Sequence, residues 1–354
     1  MMAAHTWPRD AEQGELLVDG RPSVLFAVVA GVALGLVTGG SEPPAAPRGT
    51  GRSSGRGAAR GRLALRAALL LIMGVVLWML PSGIAVILDA YGIMFLLLVP
   101  LLFARRGLLA AIAAGLLVVA PLVRDRVVEL TGLRPTGPLA LGDDPAAVLV
   151  DWLLTGYYPA LLWLPLLLVG LLCARAGLDS RRVRVLMLGL GATASLAGYG
   201  AAAVLPGIDA AAHSGSTAEL LGAGGLAFAI VGAALLVLDG REPRRVVLLL
   251  AAPLTALGRV ALTVYVAHVL VIATLAPLGP AGRFEAAVGI PLLFALSLGG
   301  IGLGLALQAT GRRGPLEWLL STVAGLPFRG RPLGHDEQGS DEHGSDDQGA
   351  RLGA

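Results

Sequence analysis

Apolar residues fall in nine long stretches along the chain, and short polar segments separate them. A hydrocarbon core about 30 Å thick requires roughly 20 apolar residues for each helical crossing. Because lipid offers backbone groups no hydrogen bonds, helices are the spanning form that we expect. The pattern predicts an all-α, polytopic integral membrane bundle of about nine transmembrane helices, with spans at residues 23–40, 63–80, 84–103, 107–123, 157–174, 183–205, 218–238, 247–276 and 286–310.

Arginine is concentrated in every second gap between the apolar stretches. One set of alternate gaps holds 16 arginines, and the other set holds 6. The rich set comprises residues 41–62, 104–106, 175–184, 239–246 and 311–313. The positive-inside rule places arginine-rich loops in the cytoplasm. We therefore expect a multi-pass protein of the inner (plasma) membrane, with residues 1–22 extracytoplasmic and the C-terminus cytoplasmic.

The beginning of the chain is too polar to be a signal peptide, although an extracytoplasmic N-terminus calls for a membrane-inserting segment before it. The favoured interpretation is that residues 1–4 form the outer end of a helix that begins upstream. The bundle would then contain ten helices, with both termini in the cytoplasm. A short extracytoplasmic tail is the alternative.

Composition agrees with a membrane location and narrows the function. Hydrophobic residues make up 55% of the chain and the mean hydropathy is +0.76, which excludes an ordinary soluble domain. The net charge of +3 comes from loop arginines and does not indicate nucleic-acid binding. Lysine is absent, and abundant Ala, Gly and Arg favour a GC-rich bacterial genome. The single cysteine, Cys173, excludes an intrachain disulfide and is interpreted as a small core residue.

Two parts of the chain differ in character. Residues 1–328 are interpreted as one transmembrane helical bundle, and the acidic, low-complexity run at 329–354 as a disordered cytoplasmic tail. Within the bundle, the Gly-xxx-Gly spacings that begin at Gly31 and Gly300 predict close helix contacts. The sequence contains no metal-ligand cluster, so no metal is expected.

The gap at 124–156 is the longest of the alternate set and carries structure of its own. Asp144 followed by Pro145 predicts a capped helix start, and the apolar run over 146–154 predicts a short helix. Trp152 places this helix at the outer membrane interface.

Ionisable side chains inside apolar spans are costly and are therefore candidates for function. Asp89, in the third span, is interpreted either as a proton carrier or orienting group, or as the structural ion-pair partner of Arg259. His268, in the eighth span, is either a general base or nucleophile, or a buried histidine bonded to Tyr265 or to a backbone carbonyl. At a spacing of i, i+3, Tyr265 shares one helix face with His268.

The eighth apolar stretch, 247–276, is too long for one straight crossing. Pro253 and Gly258 predict a break into a short inner piece and a main helix. On one continuous helix, Arg259 and Thr263 would share a face at i, i+4. Either Arg259 or Tyr265 is a candidate for polarising a thioester carbonyl group.

Further polar residues at the predicted outer end of the bundle are candidates for function. His5 would lie there, and a neutral imidazole could take a proton from an incoming acceptor. An inert loop histidine is the alternative, and His213 is interpreted as one. Asp19 and Arg21 either select the acceptor or form a helix cap and a salt bridge.

Five local patterns occur in order along the chain. They are Asp19-Gly20-Arg21-Pro22-Ser23 before Ala30-Gly31, residues 83–88 before Tyr91-Gly92, Thr155-Gly156-Tyr157-Tyr158-Pro159 before Trp163-Leu164-Pro165, Leu257-Gly258-Arg259 before Thr263, Tyr265 and His268, and Gly314-Pro315-Leu316-Glu317-Trp318 after the last span. In this order and topology the chain resembles the transmembrane acyltransferase group that includes heparan-alpha-glucosaminide N-acetyltransferase and its bacterial YeiB-like relatives of unknown function. The resemblance covers the predicted bundle.

The resemblance implies transfer of an acetyl or acyl group from cytoplasmic acyl-CoA to an extracytoplasmic amino sugar or related acceptor. A histidine of the first outer loop is catalytic in that group, and His5 is the histidine of that loop here. With it, His268 and Asp89 are the candidate catalytic residues. The candidate substrate-binding residues are Asp19, Arg21, Tyr157, Trp163, Arg259, Thr263 and Tyr265.

Acetyl-CoA or another acyl-CoA would be the donor substrate, and the lipid bilayer and a small-molecule or glycan acceptor would be the other partners. Six arginines of the predicted cytoplasmic loops either hold the phosphates of this donor or act as topology signals. They are Arg181, Arg182, Arg184, Arg241, Arg244 and Arg245.

Two other classes of function fit the same pattern. In a proton-coupled transporter, Asp89, Arg259 and His268 would form a relay along a polar path. Transporter folds often contain internal repeats, and the chain has no convincing repeat, which counts against this interpretation. The third possibility is a non-catalytic membrane protein.

Overall fold

The apolar stretches fold as helices. The computed structural model describes residues 2–6, 20–44, 55–132, 144–238, 245–275 and 286–325, which contain no strand. The helices are α1 (Met2–Thr6), α2 (Arg21–Val37), α3 (Gly55–Trp78), α4 (Leu88–Leu98), α5 (Arg106–Thr131), α6 (Pro145–Val150), α7 (Ala160–Ala176), α8 (Arg181–Val204), α9 (Thr217–Leu238), α10 (Arg245–Arg259), α11 (Ala261–Leu275), α12 (Ala286–Ala309) and α13 (Pro315–Val323). The predicted tail, 329–354, lies outside the described residues.

The predicted all-α membrane bundle is confirmed. Five described helices are long and apolar enough to cross a membrane, namely α3, α5, α8, α9 and most of α12. Two bent pairs bring the number to seven if each pair is one span: the segment Pro145–Thr155 with α7, bent by 45°, and α10 with α11, bent by 71°. The remaining two predicted spans correspond to the shorter apolar helices α2 and α4.

The third predicted span, 84–103, is not helical throughout. Only Leu88–Leu98 forms a helix, and residues 83–87 just before it have no regular secondary structure. The Ile87 N–H donates to the Tyr265 hydroxyl at 3.2 Å, and the Tyr158 hydroxyl donates to the Ala85 carbonyl at 3.4 Å. Non-helical backbone at membrane depth persists where protein covers it. Side chains from other helices therefore supply the partners that a longer α4 would have supplied itself.

The segment after residue 143 has the predicted cap and a different continuation. Asp144 accepts a hydrogen bond from the Ala146 N–H at 2.9 Å, which confirms the predicted helix start. The α-helix ends at Val150, and Asp151–Thr155 form a π-helical turn. The Trp152 indole connects this segment to α4, because it donates to the Asp89 carboxylate at 2.9 Å.

Glycines permit close helix packing, as predicted. A Cβ atom at Gly31 of α2 would press on the backbone of Leu167 in α7. A Cβ atom at Gly304 of α12 would press on the backbone of Ala256 in α10. Both predicted Gly-xxx-Gly segments therefore lie at helix contacts where a side chain has no space.

The helix ends collect at two opposite faces of the bundle. We call the first the arginine face, which carries Arg56, Arg60, Arg106 and Arg175. The ends of α2, α4 and α7 meet there, because Arg175 of α7 reaches carbonyl groups of Thr38 and Leu102. Helix α3 runs from this face to the opposite face over about 36 Å at 1.5 Å per residue.

Arg175 is the main polar connection at the arginine face. Its side chain is buried, and the guanidinium donates to the carbonyls of Thr38 at 3.1 Å, Gly40 at 2.9 Å and Leu102 at 3.3 Å. It also donates to the Thr38 hydroxyl at 2.7 Å. The C-terminal carbonyls of α2 lack helical partners, and Arg175 satisfies several groups at that helix end. Arg175, which belongs to one of the arginine-rich gaps that predict the topology, therefore also stabilises the fold.

We expect Arg175→Leu to lower the Tm of the detergent-purified protein, because the carbonyl groups around it lose a charged donor at a cost of about 1–3 kcal/mol. Arg181→Leu is the matched control, since Arg181 is exposed near the same face and such surface changes alter stability by roughly 0.5 kcal/mol or less. Equal Tm values for the two variants would contradict the structural role of Arg175.

Candidate functional site

Two histidines that are 263 positions apart in sequence meet in the structure. His5 lies in α1, which packs against α12, and its Nδ1 is 2.8 Å from Nε2 of His268 on α11. The rings stack with centroids 5.1 Å apart and planes at 13°. Tyr265 lies edge-on to His268, with centroids 5.1 Å apart. Two residues selected separately as candidate catalytic groups are therefore a hydrogen-bonded pair.

The direction of the hydrogen bond between the two histidines depends on the tautomer of His268. His268 is buried, and its Nδ1 makes no hydrogen bond of good geometry among the described residues. The carbonyl groups of Val264 and Tyr265, about one turn earlier, still interact with this ring. With the ring proton of His268 on Nδ1, its Nε2 accepts and His5 Nδ1–H is the donor, whereas the other tautomer reverses these roles.

Tyrosines surround the non-helical segment that precedes α4. Tyr265 accepts from the Ile87 N–H, so its own hydroxyl proton can be donated to another group. Tyr158 packs edge-on against Trp163 with centroids 5.4 Å apart, and Trp163 is buried behind it. Tyr157, in contrast, is 38% exposed. Of the three aromatic substrate-binding candidates, Tyr157, Trp163 and Tyr265, Tyr157 is the accessible one.

Asp89 lies at the start of α4 and is only 2% exposed. Its Oδ2 accepts from the indole N–H of Trp78 at 3.1 Å and of Trp152 at 2.9 Å. Its Oδ1 is buried and has no hydrogen-bond partner among the described residues. The alternative that Asp89 pairs with Arg259 is wrong, because Arg259 is exposed at the bend between α10 and α11 and forms no ion pair with it.

His213 and Glu219 were not selected from the sequence as site residues, yet they adjoin this site. The His213 ring lies 5.5 Å from Tyr158, and its Nδ1 is 3.0 Å from the Tyr157 carbonyl. Buried Glu219 accepts from the His213 N–H at 2.7 Å and so holds this loop. The signal in the sequence is a capping box, since Ser216 precedes Glu219 by three positions and accepts from its N–H at 2.9 Å.

Arg21 and Asp19 were the candidates for acceptor selection. Arg21 donates through Nε to the Tyr199 hydroxyl at 3.0 Å, and its guanidinium lies 5.2 Å from the centre of that ring. Within the described residues it is in neither a salt bridge nor a cap bond. Asp19 lies outside the described residues.

The shared face expected for Arg259 and Thr263 is wrong, because the predicted helix break falls at Val260, between them. Thr263 instead donates its hydroxyl proton to Oε2 of Glu317 on α13. Oε1 of the same carboxylate accepts from the N–H groups of Leu262 at 2.7 Å and Thr263 at 3.0 Å. Glu317 therefore caps the N-terminus of α11 from a distant helix.

This cap joins two of the local patterns that carried the family resemblance. A Cβ atom at Gly314 would press on the Glu317 carboxylate and the Thr263 hydroxyl, so this contact requires glycine there. The cap also sets the position of α11, the helix that presents His268 to His5.

A second candidate site lies on the arginine face. The guanidinium carbons of Arg56, Arg60 and Arg175 lie 5.3, 5.8 and 5.7 Å from the centre of the Phe103 ring. Arg106 is close enough to repel Arg175 electrostatically. The ion pairs of the described residues lie elsewhere, at Arg124–Asp125 and Arg126–Glu129. The arrangement suits an anion that would bridge several guanidinium groups.

The arginines selected from the sequence for the donor phosphates are placed differently. Arg184 is buried and donates to the Leu178 carbonyl, whereas Arg181 and Arg182 are exposed. Arg241 and Arg244 lie outside the described residues, as does the side chain of Arg245. The cluster around Phe103 was missed, because its members come from three separate helices.

We expect Glu317→Gln to weaken the start of α11 by about 1 kcal/mol, the typical value of a helix N-cap. Amide hydrogen exchange should become faster at Leu262 and Thr263, whose N–H groups the carboxylate holds. Glu129→Gln, at an exposed ion pair on α5, should leave exchange in α11 unchanged. Unchanged protection in Glu317→Gln would show that the carboxylate does not cap this helix.

The comparisons with known proteins cover part of the chain. Residues 172–326 match the family DUF418, described as a protein of unknown function. No curated protein and no solved structure matches the chain. The matched segment contains His268 and Glu317, whereas His5 and Asp89 lie outside it. The chain is thus similar over α8–α13 to a family without an assigned activity, with which a YeiB-like relationship is compatible.

Proposed function

We propose that this protein is a membrane acyltransferase that moves an acetyl or acyl group from acyl-CoA to an amino sugar or a related acceptor. The observation that carries the proposal is the 2.8 Å contact between His5 Nδ1 and His268 Nε2. A base oriented by a second group is the arrangement that acyl transfer requires. The resemblance to transmembrane acyltransferases points to the same chemistry.

The two histidines would have different roles in the reaction. With its Nδ1–H donated to His268, His5 keeps Nε2 as its basic nitrogen. This nitrogen would take a proton from the acceptor amine or hydroxyl as that group attacks the thioester carbonyl carbon. The carbon–sulfur bond then breaks, and the CoA thiolate takes up a proton as it leaves. His268 does not touch the substrate in this scheme, since it is buried and orients His5.

Tyr265 is the candidate for charge stabilisation. Acyl transfer develops negative charge on the carbonyl oxygen, and a fixed donor aimed at that oxygen lowers the barrier. The Tyr265 hydroxyl is held by the Ile87 N–H and can still donate its proton. Its edge-on contact with His268 places it beside the proposed base.

The donor would bind from the arginine face. Its phosphates would meet Arg56, Arg60 and Arg106 around Phe103, and the thioester arm would extend into the bundle toward the histidines. Under the positive-inside rule this face is cytoplasmic, where acyl-CoA is found, and the plasma membrane of a bacterium is the proposed location. The acceptor would then be extracytoplasmic.

The alternative of a proton-coupled transporter has less support. Its relay needs Asp89, Arg259 and His268 on one path, but Arg259 is exposed at the helix bend. Thr263, which lies between Arg259 and His268 on this segment, donates its hydroxyl proton to Glu317. No specific contact favours transport over acyl transfer.

We expect release of free CoA thiol when the purified protein, in detergent or nanodiscs, receives acetyl-CoA and glucosamine. His5→Ala and His268→Ala should each lower the rate by about 10²–10⁴-fold, the usual contribution of general base catalysis. His213→Asn is the matched control, because Asn tolerates the positive φ of 63° at this position and His213 is not in the pair.

Equal rates in all three variants would contradict the assignment of the base. Absence of CoA release together with absence of a Tm shift with acetyl-CoA would exclude the acyltransferase proposal. Glucosamine or proton flux into liposomes under the same conditions would favour transport instead.

We also expect the double variant Arg56→Gln/Arg106→Gln to bind CoA more weakly by roughly a hundredfold or more, since each of the two charge-assisted hydrogen bonds contributes about 1.5–3 kcal/mol. Pantetheine, which lacks the phosphates, should bind equally to both forms. Arg126→Gln, in an exposed ion pair on α5, is the control. Equal CoA affinity, measured by calorimetry, would show that the phosphates bind elsewhere.

A further inference from the structure

A small cleft adjoins Asp89 and has no role in the proton transfer described above. Its lining includes Trp78, Asp89, Asp151, Trp152 and Tyr157. Two carboxylates and several aromatic side chains thus face one space, which has room for about one water-sized group. A sugar ring is too large for this cleft, but a single ammonium group fits.

The Asp89 carboxylate is held in a fixed orientation. Two indole N–H groups bind Oδ2, so the side chain cannot rotate without losing both hydrogen bonds. The other oxygen, Oδ1, is buried and forms no hydrogen bond of good geometry in the described part of the chain, although the Ala90 N–H acts on the same carboxylate. Buried carboxylate oxygens normally have partners, because an unsatisfied one is costly. A donor that comes from outside the protein would therefore stabilise this oxygen.

The chain itself supplies no positive charge to this carboxylate among the described residues. The ion pairs described involve Asp125 and Glu129, and no arginine is paired with Asp89. An ammonium group carries three donors and one positive charge, and aromatic rings attract it further through their π faces. The combination of a fixed carboxylate and indole rings is suited to a primary ammonium ion.

We propose that this cleft is a subsite for the protonated amine of the acceptor, held by Asp89 Oδ1. The identification of the ligand as an acceptor rests on the proposed acyltransferase function, whereas the preference for an ammonium-sized monocation rests on the cleft alone. The Tyr265 hydroxyl accepts from the Ile87 N–H, two residues before Asp89, and the Tyr265 ring lies edge-on to His268. Tyr265 therefore connects the segment that carries the subsite with the histidine pair.

The subsite also distinguishes substrate from product. An amine loses its positive charge when it becomes an N-acyl amide, so the product no longer complements the carboxylate. Glucosamine should bind in the cleft and N-acetylglucosamine should not. An inorganic monocation such as K⁺ is the other source of positive charge of suitable size.

The tryptophans that bind Asp89 serve as built-in reporters. In the detergent-purified full chain without acyl-CoA, titration with glucosamine should change the tryptophan fluorescence in a saturable way. Potassium chloride at the same ionic strength and N-acetylglucosamine should give no saturable change. Asp89→Asn should weaken glucosamine binding by at least about tenfold, as expected when a buried charged partner is lost.

Asp144→Asn is the matched control. It removes a negative charge from the segment that carries Trp152, and Asn caps a helix as well as Asp does. Its fluorescence titration should equal that of the unaltered protein. Trp152→Phe keeps the carboxylate and an aromatic ring, and it should weaken binding less than Asp89→Asn. This second variant keeps the test valid if Asp89→Asn fails to fold.

Saturable binding of K⁺ or N-acetylglucosamine with the affinity of glucosamine would overturn the assignment, as would equal glucosamine affinity in Asp89→Asn and the unaltered chain. The outcomes are separable from those of the acyltransferase test. Glucosamine binding without CoA release would retain the ammonium subsite and exclude acyl transfer. CoA release with an unchanged KM for glucosamine in Asp89→Asn would retain acyl transfer and exclude the subsite.

Discussion

Backbone N–H and C=O groups at membrane depth must find partners within the protein, and this constraint organises the whole bundle. A continuous helix meets it by itself, so each interruption needs side chains from elsewhere. Tyr265 supplies the partner for the non-helical backbone before α4, and Glu317 does so for the first turn of α11. Arg175 supplies donors at the C-terminal end of α2. Each connects helices that are distant in sequence.

The interruptions also explain where the chemistry can take place. A polar side chain on an unbroken, lipid-covered helix has no cavity to face, whereas a broken helix exposes backbone and leaves space beside it. Asp89 lies in the first turn of the helix that follows the non-helical segment, and Tyr158 and Trp152 come from the bent segment before α7. The candidate site thus lies where two helix breaks meet, beside the His5–His268 pair.

The two faces of the bundle have complementary chemistry. The arginine face carries guanidinium groups around Phe103 and suits phosphate groups. The other face carries histidine, tyrosine and buried carboxylate, which suit proton transfer and recognition of an amine. An acyl transfer across the membrane would use both, with the donor held on one side and the acceptor on the other.

The sequence by itself determined the helical class, the membrane location and the position of most spans, because the hydrophobic pattern is a local property that each helix satisfies alone. It also indicated His5, His268 and Asp89 as separate candidates. Only the tertiary structure decided that the two histidines are hydrogen-bonded, that Asp89 binds tryptophans and not Arg259, and that Glu317 caps α11. These contacts join residues tens to hundreds of positions apart, and periodicity carries no information about such pairs.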